Sequence, residues 1–307
     1  MAERELVSVV IPTYKRPKKL ERALKSVINQ TYENLEIIVV NDAPETDLNH
    51  ITGLDDRVKL INHKENKGAP AARNTGIKDS KGEYIAFLDD DDEWLPKKIE
   101  EQTSKFDELS PSYGAVYPWA RIVKDDSHIT EKTPSYKGDI HDELLRKNFI
   151  PSVTPLVRKN CFKKVGLFDE KLKCSQDYDM WLRISKEYKF SYVPKILVRT
   201  YRGHEKRISS DISRKIEGTE RLVNKHKKEL ERFPINLHKR YKQLGVNTAL
   251  NGYERSTCAE YFKKSFHYNK KDINSLIYYL ICNLPKKVRK SFFGFVKDYY
   301  SSQFYSK

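Results

Sequence analysis

Four consecutive aspartates at positions 89–92 are the residues of this 307-residue sequence that most directly indicate chemistry. They follow an apolar stretch, YIAFL at residues 84–88, whose composition is that of a buried β-strand. Carboxylates crowded at the end of a strand repel one another unless a cation or a proton relieves the repulsion. A hard divalent cation bound by one or two of them, with a diphosphate and water completing its shell, would provide that relief. The alternative is a solvated acidic turn that caps the helix near Trp94.

Two earlier runs, LVSVVIP at residues 6–12 and LEIIVVN at residues 35–41, consist almost entirely of apolar, β-branched residues. Such runs are typical of strands buried on both faces of a parallel sheet. Between them, apolar residues recur at three- and four-residue spacing, as on one face of a helix: Leu20, Ala23, Leu24, Val27 and Ile28. The first forty residues therefore predict a strand–helix–strand unit. Residues 58–62 and 84–88 predict two more strands, with a helix at residues 70–79 between them.

Polar residues gather where three of the predicted strands end. They form clusters at residues 12–16, 41–43 and 89–92. An open α/β sheet binds its ligand outside the carboxyl ends of its strands. We therefore expect these clusters to contribute to the ligand site.

Beyond residue 95 the pattern is mixed and then wholly helical. It predicts, in order, a helix at 95–109, a strand at 115–123, helices at 140–147, 160–165 and 178–188, and a strand at 190–201. From about residue 212 onward the pattern is helical, with Pro234 and Pro285 as breaks. We place a domain boundary at residue 210, between a catalytic α/β domain at 1–210 and a basic helical region at 211–307.

Most of the net charge of +15 is carried by this C-terminal region. Residues 211–307 contain 21 lysines and arginines against 9 acidic residues, a net charge of +12. The first 210 residues contain 37 against 34, a net charge of +3. Such an excess attracts an anionic partner: a nucleic acid, an anionic membrane surface or an acidic substrate. The alternative is a solvated, lysine-rich surface.

The cysteines, the N-terminus and the apolar runs indicate the cellular compartment of the protein. The four cysteines are far apart and form no CxxC pair, so they support neither a zinc site nor a disulfide framework. The N-terminus places acidic residues before a short apolar run, unlike a secretory signal. The longest apolar run, residues 276–284, is about half of the roughly 18 residues that a membrane span needs. We expect a cytoplasmic protein, soluble or bound at a membrane surface.

The C-terminal tail contains an aromatic stripe. Four apolar residues recur at four-, three- and four-residue spacing, on one face of a helix: Val288, Phe292, Phe295 and Tyr299. The lysines and arginines of the tail lie mainly on its other faces. Such a helix suits an anionic membrane interface. The alternative is a terminal helix that packs its aromatic residues on the protein's own core.

Three motifs resemble those of the family 2 glycosyltransferases, inverting GT-A-fold enzymes that use nucleotide-diphosphosugars. They are VSVVIPTYKRPKKLERALKSVINQTYENLEIIVVND at residues 7–42, NKGAPAARNTGIKDSKGEYIAFLDDDDEWLPKKIE at residues 66–100 and QDYDMWLR at residues 176–183. The likeness covers residues 5–210, and the C-terminal third shows no comparable match. The resemblance implies an α/β fold of the GT-A type, a Rossmann-like nucleotide-binding mixed sheet flanked by helices, followed here by the C-terminal helical region.

The resemblance implies that the first motif binds the nucleotide. The loop that contacts the base and ribose is matched by Pro12, Thr13, Tyr14 and Arg16. The alternative for this loop is a simple connection between strand and helix. Asp42 matches the residue that accepts a hydrogen bond from the uracil ring. The family usually has two acids before Gly-Ser, whereas this chain reads NDAP at residues 41–44.

The resemblance also implies two basic contacts with the diphosphate. Arg73 matches an arginine near the base and diphosphate, and an arginine's fixed charge suits phosphate neutralisation. The alternative is a surface residue paired with Asp79 or Glu83. His204 stands where many relatives carry a histidine beside the diphosphate and metal, although histidine is also a common surface residue.

The family's DxD motif reads here as Asp89-Asp90-Asp91. By resemblance, Asp89 faces the ribose, Asp91 holds Mg²⁺ or Mn²⁺ against the diphosphate, and Asp90 occupies the variable position of the nucleotide site. Cleavage of the anomeric C–O bond leaves a nucleoside diphosphate, whose developing charge needs a cation. Asp92 is expected to begin the next helix.

Inversion requires a base that takes the proton of the attacking hydroxyl, and a carboxylate within hydrogen-bond reach can serve. By resemblance, Asp177 is this base. The residue before it is usually Glu in the family and is Gln176 here. That difference removes a charge that would raise the pKa of Asp177.

Together these features predict an inverting, metal-dependent glycosyltransferase. It would move a sugar from a nucleotide-diphosphosugar, most simply a UDP-sugar, to a hydroxyl of a surface glycan or lipid-linked oligosaccharide. We expect Mn²⁺ or Mg²⁺ as cofactor and a peripheral location at the inner face of the cell membrane. One alternative is an inactive glycosyltransferase-like assembly subunit. The other is a nucleic-acid-binding protein, which leaves the aspartates unexplained, so nucleic acid is not an expected partner.

Overall fold

The computed structural model describes residues 4–124, 128–202 and 211–304 of the chain. The chain divides into two compact units. The first comprises residues 1–171 and 176–205, and the second comprises residues 172–175 and 206–307. The second unit thus includes a short segment, 172–175, that the sequence analysis assigns to the catalytic domain.

A mixed sheet of nine strands forms the centre of the described part of the first unit. In chain order the strands are β1 (Val7–Thr13), β2 (Leu35–Asn41), β3 (Val58–Asn62), β4 (Tyr84–Phe87), β5 (Glu93–Trp94), β6 (Tyr113–Lys124), β7 (His128–Lys132), β8 (Leu156–Arg158) and β9 (Lys189–Arg202). Their spatial order is β3-β2-β1-β4-β8-β6-β9-β5, and β7 pairs with β6.

The strand directions divide the sheet into two parts. The β3-β2-β1-β4 part is parallel throughout. In the other part, β8 is antiparallel to both β4 and β6, β6 is parallel to β9, and β5 is antiparallel to β9. The carboxyl ends of β1, β2 and β4 therefore lie at one edge of the sheet, where the three polar clusters follow them.

Six helices accompany this sheet in the described residues of the first unit. They are α1 (Pro17–Ile28), α2 (Ala69–Asp79), α3 (Lys98–Asp107), α4 (His141–Arg146), α5 (Lys159–Val165) and α6 (Gln176–Glu187). The proline at the first position of α1 suits a helix start, since the missing N–H has no intrahelical partner there. The predicted apolar face of α1 packs into the core through Leu20, Ala23, Leu24 and Val27. The mixed sheet with flanking helices confirms the predicted fold class.

From residue 211 onward, all the regular secondary structure of the described residues is helical. The helices are α7 (Ile212–Lys225), α8 (Lys227–Leu230), α9 (Pro234–Leu250), α10 (Arg255–Tyr268), α11 (Ile273–Ile281) and α12 (Lys286–Phe304). They enclose a small core that includes Phe262, Tyr278 and Phe293. In the part of the chain that the structure describes, no helix combines the length and apolar composition that a membrane crossing requires.

Candidate active site

The first polar cluster and the aspartates are joined by direct hydrogen bonds. Because β1 and β4 are adjacent and parallel, the segments that follow them meet at the same edge of the sheet. Asp90 Oδ2 accepts from the Thr13 hydroxyl at 2.8 Å and from the Tyr14 backbone N–H at 3.4 Å. Arg16 Nη1 donates to Asp90 Oδ1 at 3.2 Å. The predicted nucleotide loop and the aspartate loop are therefore one connected structure.

Asp90 lies inside this connection, with 6% of its surface exposed. Burial raises the pKa of its carboxyl to about 6, against the opposing effects of the Thr13 hydrogen bond and the Arg16 charge. The Thr13 hydroxyl and the Arg16 guanidinium stabilise the ionised carboxylate, whereas its removal from water destabilises it. The middle aspartate of the motif, expected to occupy a variable position, thus ties the two loops together.

Asp89 and Asp91 are more accessible than Asp90. The Asp89 side chain is partly exposed, and its two oxygens accept from Arg73 Nη2 at 2.6 Å and from the Ser152 hydroxyl at 3.2 Å. Asp91 Oδ2 accepts from Arg16 Nη1 at 3.3 Å. Each of these carboxylates is held by an arginine, and neither is fully buried.

Asp92 does not begin a helix, so that prediction is wrong. Its Oδ1 accepts from the Tyr201 backbone N–H at 3.0 Å. The two residues after it form β5 against β9, and α3 begins only at Lys98. Pairing with a strand about a hundred residues away replaces the local helix start that the sequence indicates.

Arg73 is an interior residue of α2 and not a surface residue. Its guanidinium contacts Asp89, and it lies 5.7 Å from the centre of the Phe168 ring. The alternative partner Asp79 is instead paired with Lys59 at 2.7 Å. The Nε atom of Arg73 is buried and has no hydrogen-bond partner among the residues that the structure describes. A cationic group with an unused donor is thereby held beside the aspartates.

Asp177 lies in the first turn of α6. Burial raises the pKa of its carboxyl. The charge of Arg73 and the Asn148 amide, 3.4 Å from Oδ2, act in the opposite direction, and Asp89 adds to the increase. The structure therefore brings Asp177 into electrostatic range of the Arg73–Asp89 pair. The increase arises although the neutral Gln176 adds no charge beside Asp177.

Asp42 follows β2 and is almost fully buried. Its oxygens accept from the backbone N–H groups of Lys67 and Gly68 at 2.8 and 2.7 Å, and Oδ1 lies 2.8 Å from His63 Nδ1. The other ring nitrogen of His63 contacts the Thr75 hydroxyl at 2.9 Å. Asp42 therefore anchors the segment that leads into α2. A carboxylate offers about four acceptor positions, so this arrangement leaves about one for another donor.

The neighbouring Asn41 explains why the chain departs here from the family's acidic pair. Its amide donates to the Thr46 carbonyl and to Asn62 Oδ1, both at 2.9 Å. Its own Oδ1 accepts from the Ala43 N–H at 3.0 Å. A carboxylate at this position could not donate the first two hydrogen bonds. The amide is required by the way this loop folds.

Two residues near the site have a strained backbone. Lys15, within the first loop, has φ 57°, and Ser175, two residues before Asp177, has φ 62°. The left-handed region is unfavourable for residues with a Cβ atom, and such strain is concentrated at functional sites. Among the described residues these are the two non-glycine positions with positive φ.

The remaining predicted residues have different outcomes. Pro12 is a buried residue near the end of β1, and Tyr14, whose backbone N–H contacts Asp90, is 43% exposed. His204, a predicted metal ligand, lies outside the described residues. Within the described ranges, no three His, Cys, Asp or Glu side chains are grouped so as to hold a metal ion.

The sequence does not reveal the roles of Ser152 and Asn148. They lie in a loop between α4 and β8 and contact Asp89 and Asp177, respectively. Short polar residues in a loop carry no periodic signal. Long-range folding alone brings them to the aspartates.

Comparison with known proteins identifies the family. The model of the family described as glycosyl transferase family 2 matches residues 8–166. This chain belongs to that family. A glycosyltransferase of Rickettsia typhi that is itself uncharacterized is 31% identical over 263 residues, which are 82% of each chain. The chain is therefore a glycosyltransferase, as the sequence motifs predict.

Two other similar proteins have more specific names. The Escherichia coli protein WfgD, a UDP-Glc:α-D-GlcNAc-diphosphoundecaprenol β-1,3-glucosyltransferase, is 30% identical over 67% of this chain and 80% of its own. The crystal structure of Staphylococcus aureus TarS (residues 1–349) in complex with UDP-GlcNAc superposes with a TM-score of 0.57. That match covers 92% of this chain and 82% of the TarS chain at 17% identity, so it supports the fold alone.

Proposed function

We propose that this family 2 glycosyltransferase moves a sugar, with inversion, from a nucleotide-diphosphosugar to an acceptor hydroxyl. The observation that supports this most strongly is the grouping of Arg73, Asp89 and Asp177 at the carboxyl edge of the sheet. This reaction needs a cationic side chain that stabilises phosphate charge, here Arg73, with the acidic Asp89 beside it. It also needs a carboxyl of raised pKa that can accept a proton, here Asp177.

The donor is a UDP-sugar in this proposal. The exposed Tyr14 would stack on the base, and Pro12, Thr13 and Arg16 would shape the loop around the nucleotide. The remaining acceptor position of Asp42 would take a uracil N–H. Arg73 would turn its unused Nε toward the diphosphate, where charge develops as the sugar leaves. TarS has been crystallised with UDP-GlcNAc and with UDP, which is consistent with such a donor.

A divalent cation, Mn²⁺ or Mg²⁺, suits the carboxylates present. Asp91 is partly exposed, and one such carboxylate matches a hard cation whose other ligands come from substrate phosphates and water. Asp91 would be the main protein ligand, while Asp89 would contact the ribose. When bound, the cation would neutralise charge on the leaving nucleoside diphosphate. His204 remains a candidate ligand.

Asp177 is the proposed base. Burial raises the pKa of this carboxyl toward the range of an effective proton acceptor at neutral pH. The Asn148 amide, 3.4 Å from Oδ2, holds the carboxyl in one orientation. Asp177 would take the acceptor's proton as the hydroxyl oxygen attacks the anomeric carbon, opposite the departing diphosphate.

The acceptor proposed here is a surface glycan or a lipid-linked oligosaccharide. WfgD acts, according to its name, on a sugar attached to diphosphoundecaprenol. A second relative, 34% identical over 61% of this chain, is the putative colanic acid biosynthesis glycosyl transferase WcaA of Escherichia coli. Both support an acceptor hydroxyl on a growing glycan.

The decisive experiment begins with a screen of nucleotide-sugars for hydrolysis or thermal stabilisation in the presence of Mn²⁺. With the donor found, Asp177→Asn should lower transfer by about two to four orders of magnitude, while UDP binding stays near normal. Asp142→Asn is a matched control, because Asp142 also lies in the first turn of a helix. Full transfer by Asp177→Asn would place the base elsewhere. Nucleotide binding by the unmodified chain without transfer to any acceptor would favour the inactive assembly subunit.

A further inference from the structure

Helix α11 exposes its more apolar side. The residues that it buries are Ser275 and Tyr278. Its exposed residues include four large aliphatic side chains: Ile273, Leu276, Ile277 and Leu280. Ile273 is 66% exposed, although an ordinary surface helix turns such residues toward the core. The four lie on one face of the helix, since they recur at three- and four-residue spacing.

Helix α12, the next helix along the chain, also exposes large apolar residues. It packs on the core of the second unit through Phe293 and Val296, both buried. The predicted stripe is a different face, and its described members Val288, Phe292 and Phe295 are exposed. Phe295 is 78% exposed. We call the exposed residues of both helices and of their connection the outer face: Ile273, Leu276, Ile277, Leu280, Leu284, Val288, Phe292 and Phe295.

The outer face is accompanied by positive charge with almost no acid. Five lysines within and just before the same two helices are exposed: Lys270, Lys271, Lys286, Lys287 and Lys290. The one acidic residue between positions 270 and 296 is Asp272. Its carboxyl is already paired with Lys242 at 2.8 Å and lies 3.4 Å from His238. Residues 270–296 therefore carry a net charge of +5.

These features favour a lipid surface over a protein partner. Large aliphatic and aromatic side chains flanked by lysines match an anionic membrane interface, where the rings and aliphatic chains enter the lipid and the ammonium groups meet phosphate. The centre of a protein–protein interface is instead depleted of lysine. A second copy of this chain would also bring two surfaces of the same charge together.

We propose that the outer face of α11 and α12 docks the protein on an anionic lipid bilayer. The sequence predicts only the α12 stripe, and the structure adds the exposed aliphatic residues of α11. This inference does not depend on the proposed reaction, because none of its residues belongs to the candidate active site. An Asp177→Asn protein should therefore bind vesicles normally even if that variant has lost transfer.

The test is cosedimentation of the full chain with vesicles of equal parts phosphatidylglycerol and phosphatidylcholine. The protein should bind these vesicles, bind much less to phosphatidylcholine alone and be released by salt. Leu280→Ser and Phe295→Ser should each lower the partition coefficient about fivefold to tenfold. Lys287→Gln and Lys290→Gln should each lower it about fivefold. Ile235→Ser is the matched control, since Ile235 is exposed in the same unit but belongs to α9.

Several results would overturn the proposal. Vesicle binding that is equal for the serine variants and the unmodified protein would show that the outer face does not touch lipid. A lack of binding to anionic vesicles would do the same. Concentration-dependent dimerisation that disappears in Phe295→Ser, without vesicle binding, would assign the surface to a second copy. Circular dichroism of each variant checks that the helices are retained, which is expected because all substituted side chains are exposed.

Discussion

Replacing Asp90 with asparagine should remove a pH-dependent loss of stability from the first unit. Asp90 is buried, and burial raises the pKa of its carboxyl from 3.8 to about 6. A folded-state pKa above the unfolded value means that the folded protein binds the proton more tightly. The contribution of the proton on Asp90 to the free energy of unfolding is therefore complete below about pH 4 and is lost as the pH rises through 6.

The size of the effect follows from the two pKa values. Each unit of difference corresponds to about 1.36 kcal/mol, so the ionisation of Asp90 costs the fold about 3 kcal/mol at high pH. Integration of the linkage relation between pH 5 and pH 7.5 gives a loss of about 1.4 kcal/mol. Asparagine has nearly the same shape and does not titrate. Its carbonyl oxygen can still accept from the Thr13 hydroxyl.

The measurement is urea unfolding of both proteins at pH 5 and pH 7.5, with EDTA and without nucleotide. The free energy of unfolding of Asp90→Asn, relative to the unmodified protein, should increase by about 1.4 kcal/mol between the two pH values. Asp55→Asn is the control, since its arginine partner lowers the pKa of Asp55 to about 2 and the carboxylate stays ionised throughout. A difference for Asp90→Asn that is the same at both pH values would refute the assignment of a raised pKa.

Three further substitutions test the site and its scaffold. Asp91→Ala should abolish the part of UDP binding that depends on Mn²⁺, measured by calorimetry with and without EDTA, and unchanged metal dependence would exclude Asp91 as a ligand. Asn41→Asp should lower the free energy of unfolding by about 2 kcal/mol, because the buried side chain at position 41 loses both hydrogen bonds that it donates; an unchanged urea midpoint would contradict this role. Gly76→Ala should cost about 1–3 kcal/mol, since a Cβ atom would overlap the Val10 side chain. Gly53→Ala, with open space around it, should cost about 0.5 kcal/mol or less, and equal losses for the two glycines would argue against the overlap.

The parallel half of the sheet was predictable because its strands are buried on both faces. β1 and β2 read as continuous apolar runs, and those runs coincide with the observed strands. β5 was not predictable, since Glu93 and Trp94 have no strand pattern of their own. They form a strand only because β9, from about a hundred residues later, pairs with them. Information of that kind is absent from any local window of the sequence.

The candidate site was predictable in its residue types but not in its connections. The motifs identify Asp89 and Asp177, and the structure places both within reach of the charge of Arg73. The internal role of Asp90 depends on the adjacency of β1 and β4, which puts Thr13 beside it. A repeat of four aspartates cannot show which carboxyl is turned inward.

The two terminal helices show the same limit for a surface. Periodicity in a sequence indicates that a helix has an apolar face, but not which face the tertiary structure covers. In α12 the predicted stripe is exposed, because Phe293 and Val296, at other positions of the same helix, fill the core. In α11 the core is satisfied by Tyr278 and the small Ser275, which leaves the aliphatic side chains outside. Tertiary packing therefore decides whether the apolar face of a helix is buried or exposed. A helix whose sequence pattern predicts a core position can instead present that face to a lipid surface.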